Sequence, residues 1–192
     1  MSRPSLKEQI LDAAVETFHR NGFNATSVQD ITEAAGVPKG SFYNHFKTKE
    51  DLAIDALDRY WQRVLGSLSI LNEEHAPPLT RLKRYFRHLA GVARKHDYQI
   101  GCMIGNMSAE LADHSPQVRA RLAAELGAWT RAIEDCVTEA QLDGSLRDDI
   151  AASSIAAFLL NAWEGAVIRA KVDQTAASLD AFVAVVFTSL TS

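Results

Sequence analysis

A chain of 192 residues that is 47% hydrophobic and 23% charged has the make-up of a globular protein with a full core. Its longest apolar runs, such as residues 181–187, fall far short of the ~20 residues that cross a bilayer, and MSRPSLKEQI lacks the apolar stretch of a secretory signal. A net charge of −4 excludes a protein that coats nucleic acid generally, because gripping phosphates everywhere needs a basic surface.

The apolar spacing is helical almost throughout. Leu6, Ile10, Ala13, Ala14, Thr17 and Phe18 mark a first helix, which Asn21-Gly22 closes. Ser27 and Asp30 have the spacing of a capping box opening a short second helix that stops at Gly36. Pro38 precedes a short third helix predicted over Lys39–His45. Thr48-Lys49-Glu50-Asp51 opens a long amphipathic helix carrying Leu52, Leu57, Trp61, Val64 and Leu68. After Pro77-Pro78 a helix is predicted to about Lys95, and another from about Ile100. Ser115-Pro116 starts a long one towards Leu142, and two more run from about Asp149 to Lys171 and from about Ser178. No strand alternation, low-complexity linker or internal repeat is present. The fold class is all-α, about nine helices: an N-terminal three-helix domain over 1–50 and a larger helical domain over 51–192.

Charge is unevenly spread. Between Val37 and Lys49 stand Lys39, Lys47, Lys49 and His45 with no acid. Two short helices joined by a tight turn at Ala34-Ala35-Gly36-Val37, braced by a longer preceding helix, are how a recognition helix is presented to the major groove of DNA. Phe42 and Phe46, four residues apart, are predicted to face inward with Val37. This leaves Lys39, Gly40, Ser41, Tyr43, Asn44 and His45 outside. Lys39 suits a guanine edge or phosphate and Asn44 an adenine edge, while Ser41, Tyr43 and His45 suit phosphate oxygens. Gly40 would let the backbone lie close to the duplex, and Lys49 would add a phosphate contact at a helix start.

The stretch from Phe18 to Lys49, which contains T-S-V-Q-D-I-T-E-A-A-G-V-P-K-G-S-F-Y-N-H-F-K-T-K-E, resembles the N-terminal signature of the tetracycline-repressor family. The resemblance implies a homodimer of all-helical subunits, an N-terminal DNA reader and a C-terminal domain binding a small-molecule inducer. It also implies operator contacts from Thr26, Ser27, Lys39, Gly40, Ser41, Tyr43, His45 and Lys49. A two-fold reader needs a two-fold seam, and the apolar last two helices (155–167 and 179–190) are the expected one; closing the subunit's own core is the other reading.

Two C-terminal helices place polar residues on one face: Cys102, Asn106 and Glu110 at i, i+4 and i+8, and Asn161, Glu164 and Lys171 at i, i+3 and i+10, with Trp163 among them. Polar groups in an apolar helix need partners or a ligand, since burying one unpaired costs ~1–3 kcal/mol. A thiol beside an ammonium would become a reactive thiolate. A small buried hydrophobe is the plainer reading of Cys102 and of Cys136, and Trp163 equally suits packing. G-C-M-I-G-N-M-S-A-E and W-E-G-A-V-I-R-A-K resemble a branch of the family that controls genes for reductases and for metabolism of small unsaturated or carbonyl compounds. The resemblance implies either an electrophile or oxidant sensor at Cys102, or non-covalent binding of a small acid, for which Arg169 and Lys171 are the cations.

The expected protein is therefore a cytoplasmic, nucleoid-associated repressor, with double-stranded operator DNA and an inducer as partners, no cofactor, no metal and no membrane association. An activator stands as one alternative. A cysteine-dependent enzyme with Cys102 as nucleophile and His96 or His114 as base stands as another, although phosphate-binding glycine loops, H-E-x-x-H and C-x-x-C pairs are all missing.

Overall fold

The computed structural model describes residues 5–191. The reading of MSRPSLKEQI as lacking a leader falls partly on residues 1–4, outside the described residues. Nine α-helices and no strand are found among the described residues: α1 (Leu6–Asn21), α2 (Val28–Ala34), α3 (Gly40–Tyr43), α4 (Lys49–Leu68), α5 (Pro78–Lys95), α6 (Met103–Leu111), α7 (Pro116–Leu142), α8 (Ala152–Asp173) and α9 (Ala177–Ser189). A single 3-10 turn, Ser69–Asn72, prolongs α4 and was not foreseen.

The N-caps expected before α2, α4 and α7 are in place, and α1 has one that was not foreseen. Ser5 Oγ accepts the amide of Glu8 at the head of α1. Ser27 Oγ accepts the amide of Asp30, and Asp30 accepts the amide of Ser27 in return at 2.7 Å. Hydrogen bonding to the carboxylate from the Ser27 side chain and backbone amide holds the Asp30 carboxyl below the usual carboxylate range. Thr48 and Asp51 make the same reciprocal pair before α4, and Ser115 Oγ accepts the amide of Val118 before α7. Helix α3 is shorter than the predicted Lys39–His45. Lys39 and Asn44 keep right-handed helical angles on either side of it, but only 40–43 form the regular helix. Helix α6 begins at Met103, three residues later than expected, because Cys102 is extended and serves as its N-cap.

The chain divides into two compact units, Met1–Arg63 with Cys102–Ala124, and Val64–Gly101 with Glu125–Ser192. This differs from the expected cut at residue 50, and the reason lies in what α1 touches. Ile10, Leu11, Ala14, Val15 and Phe18 form its buried stripe, and α2, α3 and α6 pack on it. Its outer face is laced to α4 by Lys7–Asp55 at 3.0 Å, Arg59 with Glu8 and Asp12, and Arg63–Glu16 at 2.8 Å. Such exposed pairs contribute ~0–1 kcal/mol each, so they set alignment more than stability. The apolar stripe and these pairs together join α4 to Arg63 and α6 to the three-helix domain.

In the second unit Phe86 of α5, with Tyr85 edge-on against it at 5.3 Å, meets Trp163 of α8 and Phe182 and Phe187 of α9. Phe86 lies 5.0–6.1 Å, centroid to centroid, from the other three rings it touches across helices. The buried Trp129 Nε1 donates to Tyr85 Oη at 2.6 Å, so each of these buried polar atoms has a partner. Arg81, only 5% exposed, donates to Leu71 O and pairs with Glu139, tying the 3-10 turn to α7.

The turn between α1 and α2 is the most tightly determined loop of the first unit. Gly22 has φ +85°, where a side chain is strained, and a Cβ there would sit 2.4 Å from Glu110 Oε1. Glu110 of α6 accepts the amides of Phe23 at 3.2 Å and Asn24 at 2.6 Å. On the carbonyl side, Lys49 Nζ donates to Phe23 O at 2.9 Å and Thr26 O at 2.8 Å, and stands 4.0 Å over the Phe23 ring. Replacing Glu110 by Ala should lower stability by ~1–3 kcal/mol through the two orphaned amides. Gly22→Ala should cost a similar amount, and the double variant less than the sum, because the Cβ clash disappears with the carboxylate. Urea unfolding of the three variants measures this; strict additivity would show that the turn and α6 are uncoupled.

Candidate DNA-reading surface and effector residues

The helix-turn-helix is built from local chemistry. Gly36, at φ +66°, lets the chain reverse after α2, and the amide of Val37 returns to Thr32 O at 3.0 Å. Phe42 and Phe46 are buried at 0% and 4% exposure with rings 5.7 Å apart, while Val37 is half-buried. That anchor turns the opposite face outward: Lys39, Gly40, Tyr43, Asn44 and His45 are exposed and Ser41 half-buried. Tyr43 is 62% exposed, held edge-on against Phe42 at 5.1 Å. Ser27 is exposed at the head of α2, and Gly40 has open space where a Cβ would be.

Two expected DNA contacts are placed otherwise. The Thr26 side chain is buried (1% exposed), and its hydroxyl donates to Gly22 O at 2.6 Å. Lys49 is half-buried, and its ammonium is spent on two carbonyls and the Phe23 ring rather than held out towards a phosphate. Burial lowers its pKa, partly offset by the carboxylates of Glu50 and Glu110. Both residues brace the turn from inside. For Lys49 the sequence spacing carries no sign of this, because its partners lie 23 and 26 residues away, whereas the Thr26 hydroxyl bonds four residues back.

The residues expected around an effector fall in both units. Cys102, Asn106 and Glu110 belong to the first, and Asn161, Trp163, Glu164 and Lys171 to the second. Cys102 is 7% exposed, at the head of α6, and Asn106 is half-buried one turn on. Glu110 has both carboxylate oxygens engaged by the α1–α2 turn, a role that competes with effector binding. Trp163 is 2% exposed and packed against Phe86 and Phe182, which is the packing alternative. Asn161 is exposed and lies on an outward stripe with Phe158, Gly165, Ile168 and Val172, away from any interior cavity. Glu164 and Lys171 are half-buried, and Arg169 already pairs with Asp173 at 2.5 Å.

Cys136 is a buried thiol whose pKa is pushed up to about 11, mainly by burial and against the pull of Arg81. It is the inert buried hydrophobe expected of a structural cysteine. Being protonated up to about pH 10, it should resist iodoacetamide at pH 8 in the folded protein and react only on unfolding. Mass mapping of labelled peptides checks this; rapid labelling of Cys136 in the native state would contradict it.

No helix among the described residues is long and apolar enough to cross a membrane, and no group of three or more His, Cys, Asp or Glu among them is placed to hold a metal. Residues 10–56 match the model of bacterial regulatory proteins of the tetR family, and residues 78–186 match that of the tetracyclin repressor-like C-terminal domain. The chain is 37% identical over 191 residues to the HTH-type transcriptional repressor DhaR of Mycobacterium sp. (strain GP1), covering 99% of this chain and 94% of that one. It is 32% identical over 169 residues to the transcriptional regulator AcuR of Cereibacter sphaeroides, covering 86% and 76%. A solved regulatory protein TetR from Rhodobacter sphaeroides superposes with a TM-score of 0.91 at 29% identity, covering 97% of this chain and all of that one. The cysteine-enzyme alternative falls with these matches, since the relatives are regulators. The chain belongs to the tetracycline-repressor family, as a dimeric helix-turn-helix transcriptional repressor that binds operator DNA and a small-molecule ligand.

Proposed function

We propose that operator DNA is read by the outward face around α3 and that release is triggered by a small molecule acting on the C-terminal helices. The observation that carries the first part is the exposed, acid-free strip of Lys39, Tyr43, Asn44 and His45 beside Ser41, anchored from behind by Phe42 and Phe46. Lys39 and Asn44 reach base edges, while Ser41, Tyr43 and His45 grip phosphates, with Ser27 adding a phosphate contact at the head of α2. Gly40 brings the α3 backbone against the duplex. Thr26 and Lys49 act indirectly, by holding the turn that aims α2 and α3.

The dimer seam runs along α8 and α9. Phe158, Ile168 and Val172 of α8 are 56%, 58% and 73% exposed and, with Asn161 and Gly165, follow a three-four spacing that makes one stripe. Ala177, Ala181 and Val185 of α9 are exposed as well. An uncovered apolar stripe of this length is costly in water and is satisfied by a second copy. Asn161, polar within it, fixes the register of the pairing. The two readers then enter successive major grooves about 34–36 Å apart, or further if the dimer is wide. The protein acts in the cytoplasm, on the nucleoid.

Effector recognition has two separate candidates: Cys102 and Asn106 on α6 in the first unit, and Glu164 and Lys171 on α8 in the second, with Trp163 as packing behind α8. The compounds that fit these groups are electrophiles such as small aldehydes, or a small unsaturated acid. An effector shifts the DNA-binding equilibrium only by its differential affinity for the two states.

Two measurements test the reading. In gel-shift assays with the protein's own promoter, Lys39→Ala and Tyr43→Ala should weaken operator binding ~10-fold or more with unchanged thermal stability, each phosphate contact contributing about one unit of salt slope. Lys49→Ala should lower stability as well as binding; full affinity in the Lys39 and Tyr43 variants would sink the assignment. In a DNA-release screen with small aldehydes, quinones, unsaturated acids and oxidants, Cys102→Ser should lose response to electrophiles and oxidants alone. An unchanged response would reduce Cys102 to core packing.

A further inference from the structure

Helix α5 is the most cationic segment of this acidic chain. Its 18 residues hold Arg81, Lys83, Arg84, Arg87, Arg94 and Lys95 and no acid at all. Several of these charges are accounted for within the second unit. Arg81 pairs with Glu139, and Arg84 with Glu73 at 2.6 Å. Arg94 donates to Tyr98 Oη at 3.2 Å and feels the carboxylate of Asp180, which together raise its pKa. Lys83 and Arg87, four residues apart on one face, make no ion pair or hydrogen bond among the described residues.

These two cations border a cavity of about 560 Å³ between α5 and α9. The helices run antiparallel along it, since Lys83 Nζ stands 5.8 Å over the Phe187 ring at one end and Arg94 senses Asp180 at the other. Between the ends the lining is apolar or small: Ala90, Gly91, Val183 and Ala184. On α9, Val183 and Phe187 lie two residues, or ~200° of helix rotation, from Ala181 and Val185, while Asp180, Ala184 and Thr188 lie three residues, or ~60°, from the seam positions, so the proposed seam runs along the α9 edge of this groove.

From this arrangement we propose that the α5–α9 groove is a binding site for an amphipathic carboxylate. Its acid group is held by Lys83 and Arg87, and its unbranched apolar tail fills the ~10 Å of groove from Arg87 towards Arg94. The volume falls in the range of small-molecule sites, and the charged and polar residues Lys83, Arg87, Arg94, Asp180 and Thr188 leave an apolar strip of Ala90, Gly91, Val183, Ala184 and Phe187 between them. Two unpaired cations alone would accept any anion; the floor selects a tail. A DNA backbone would have no use for a recessed apolar floor, and the DNA-reading strip lies elsewhere in the chain. This site shares no residue with the effector set on α6 and α8, so the two readings stand or fall separately.

The test uses the full-length dimer and sodium octanoate as probe, with butyrate, 1-octanol and sulfate as comparisons, followed by titration calorimetry and thermal shift. Octanoate should bind and raise the melting temperature, with each comparison at least tenfold weaker. Lys83→Gln with Arg87→Gln should reduce octanoate affinity at least tenfold without altering unliganded stability or operator affinity. Gly91→Leu keeps both cations and fills the groove, and a Cβ at Gly91 meets nothing within 4 Å, so it should fold normally and lose binding equally. The proposal is overturned if octanoate does not bind, if both variants bind it as wild type does, or if sulfate binds as tightly. A drop in operator affinity with octanoate binding intact would give these cations to DNA and overturn it too.

Discussion

Everything the first unit presents to DNA hangs on a five-residue turn, Gly22 to Thr26, whose polar backbone is satisfied from two sides. Glu110 takes the amides of Phe23 and Asn24, and Lys49 supplies protons to the carbonyls of Phe23 and Thr26. The turn leaves no room for slack, because Gly22 sits where a Cβ would meet the Glu110 carboxylate, and the Thr26 hydroxyl closes back on Gly22 O. The angle between α1 and α2, and with it the direction of α3, is therefore set by charged side chains from α4 and α6. A backbone segment with four of its five amides and three of its five carbonyls so engaged behaves as a rigid joint rather than a loop.

The same use of charge explains how an acidic protein binds an anionic polymer. Cations are sorted by what they face. Those of α4 that meet α1, Arg59 and Arg63, are neutralised by Glu8, Asp12 and Glu16. Lys39 and Lys47 around α3 face water with no acid between them, so this surface keeps its positive charge. Binding that rests on so few cations is weak for one subunit, which gives the dimer its importance. The exposed stripe of α8 is the matching feature in the second unit, where Phe158, Ile168 and Val172 face solvent.

Much of this was legible in the sequence where the interactions are local. Capping pairs such as Ser27 with Asp30 and Thr48 with Asp51 span three residues, and Phe42 with Phe46 spans one helical turn, so spacing alone reveals them. What escaped is non-local. Nothing at Glu110 hints that its partners lie 86 and 87 residues earlier, and it reads as a ligand-facing carboxylate until the turn is placed beside it. Lys49 likewise reads from spacing as a phosphate-facing cation, and its bonds to Phe23 O and Thr26 O, 26 and 23 residues earlier, are invisible there. Asn161 and Trp163, two residues apart on one helix, point to solvent and to core respectively, and only the packing of α9 on α8 separates those fates. The cationic run of α5 was visible by composition, but which of its charges are spent depends on Glu73 and Glu139.

The central claim, that α6 fixes the turn from which the DNA-reading helices are hung, is tested most directly by amide hydrogen exchange at single-residue resolution. In the wild-type protein the amides of Phe23 and Asn24 should exchange as slowly as those in the middle of α1, although they lie outside any helix. In Glu110→Ala those two should become fast, while the amides of Ile31 and Phe46 keep their protection. Fast exchange at Phe23 and Asn24 in the wild type, or no change on removing the carboxylate, would contradict the account.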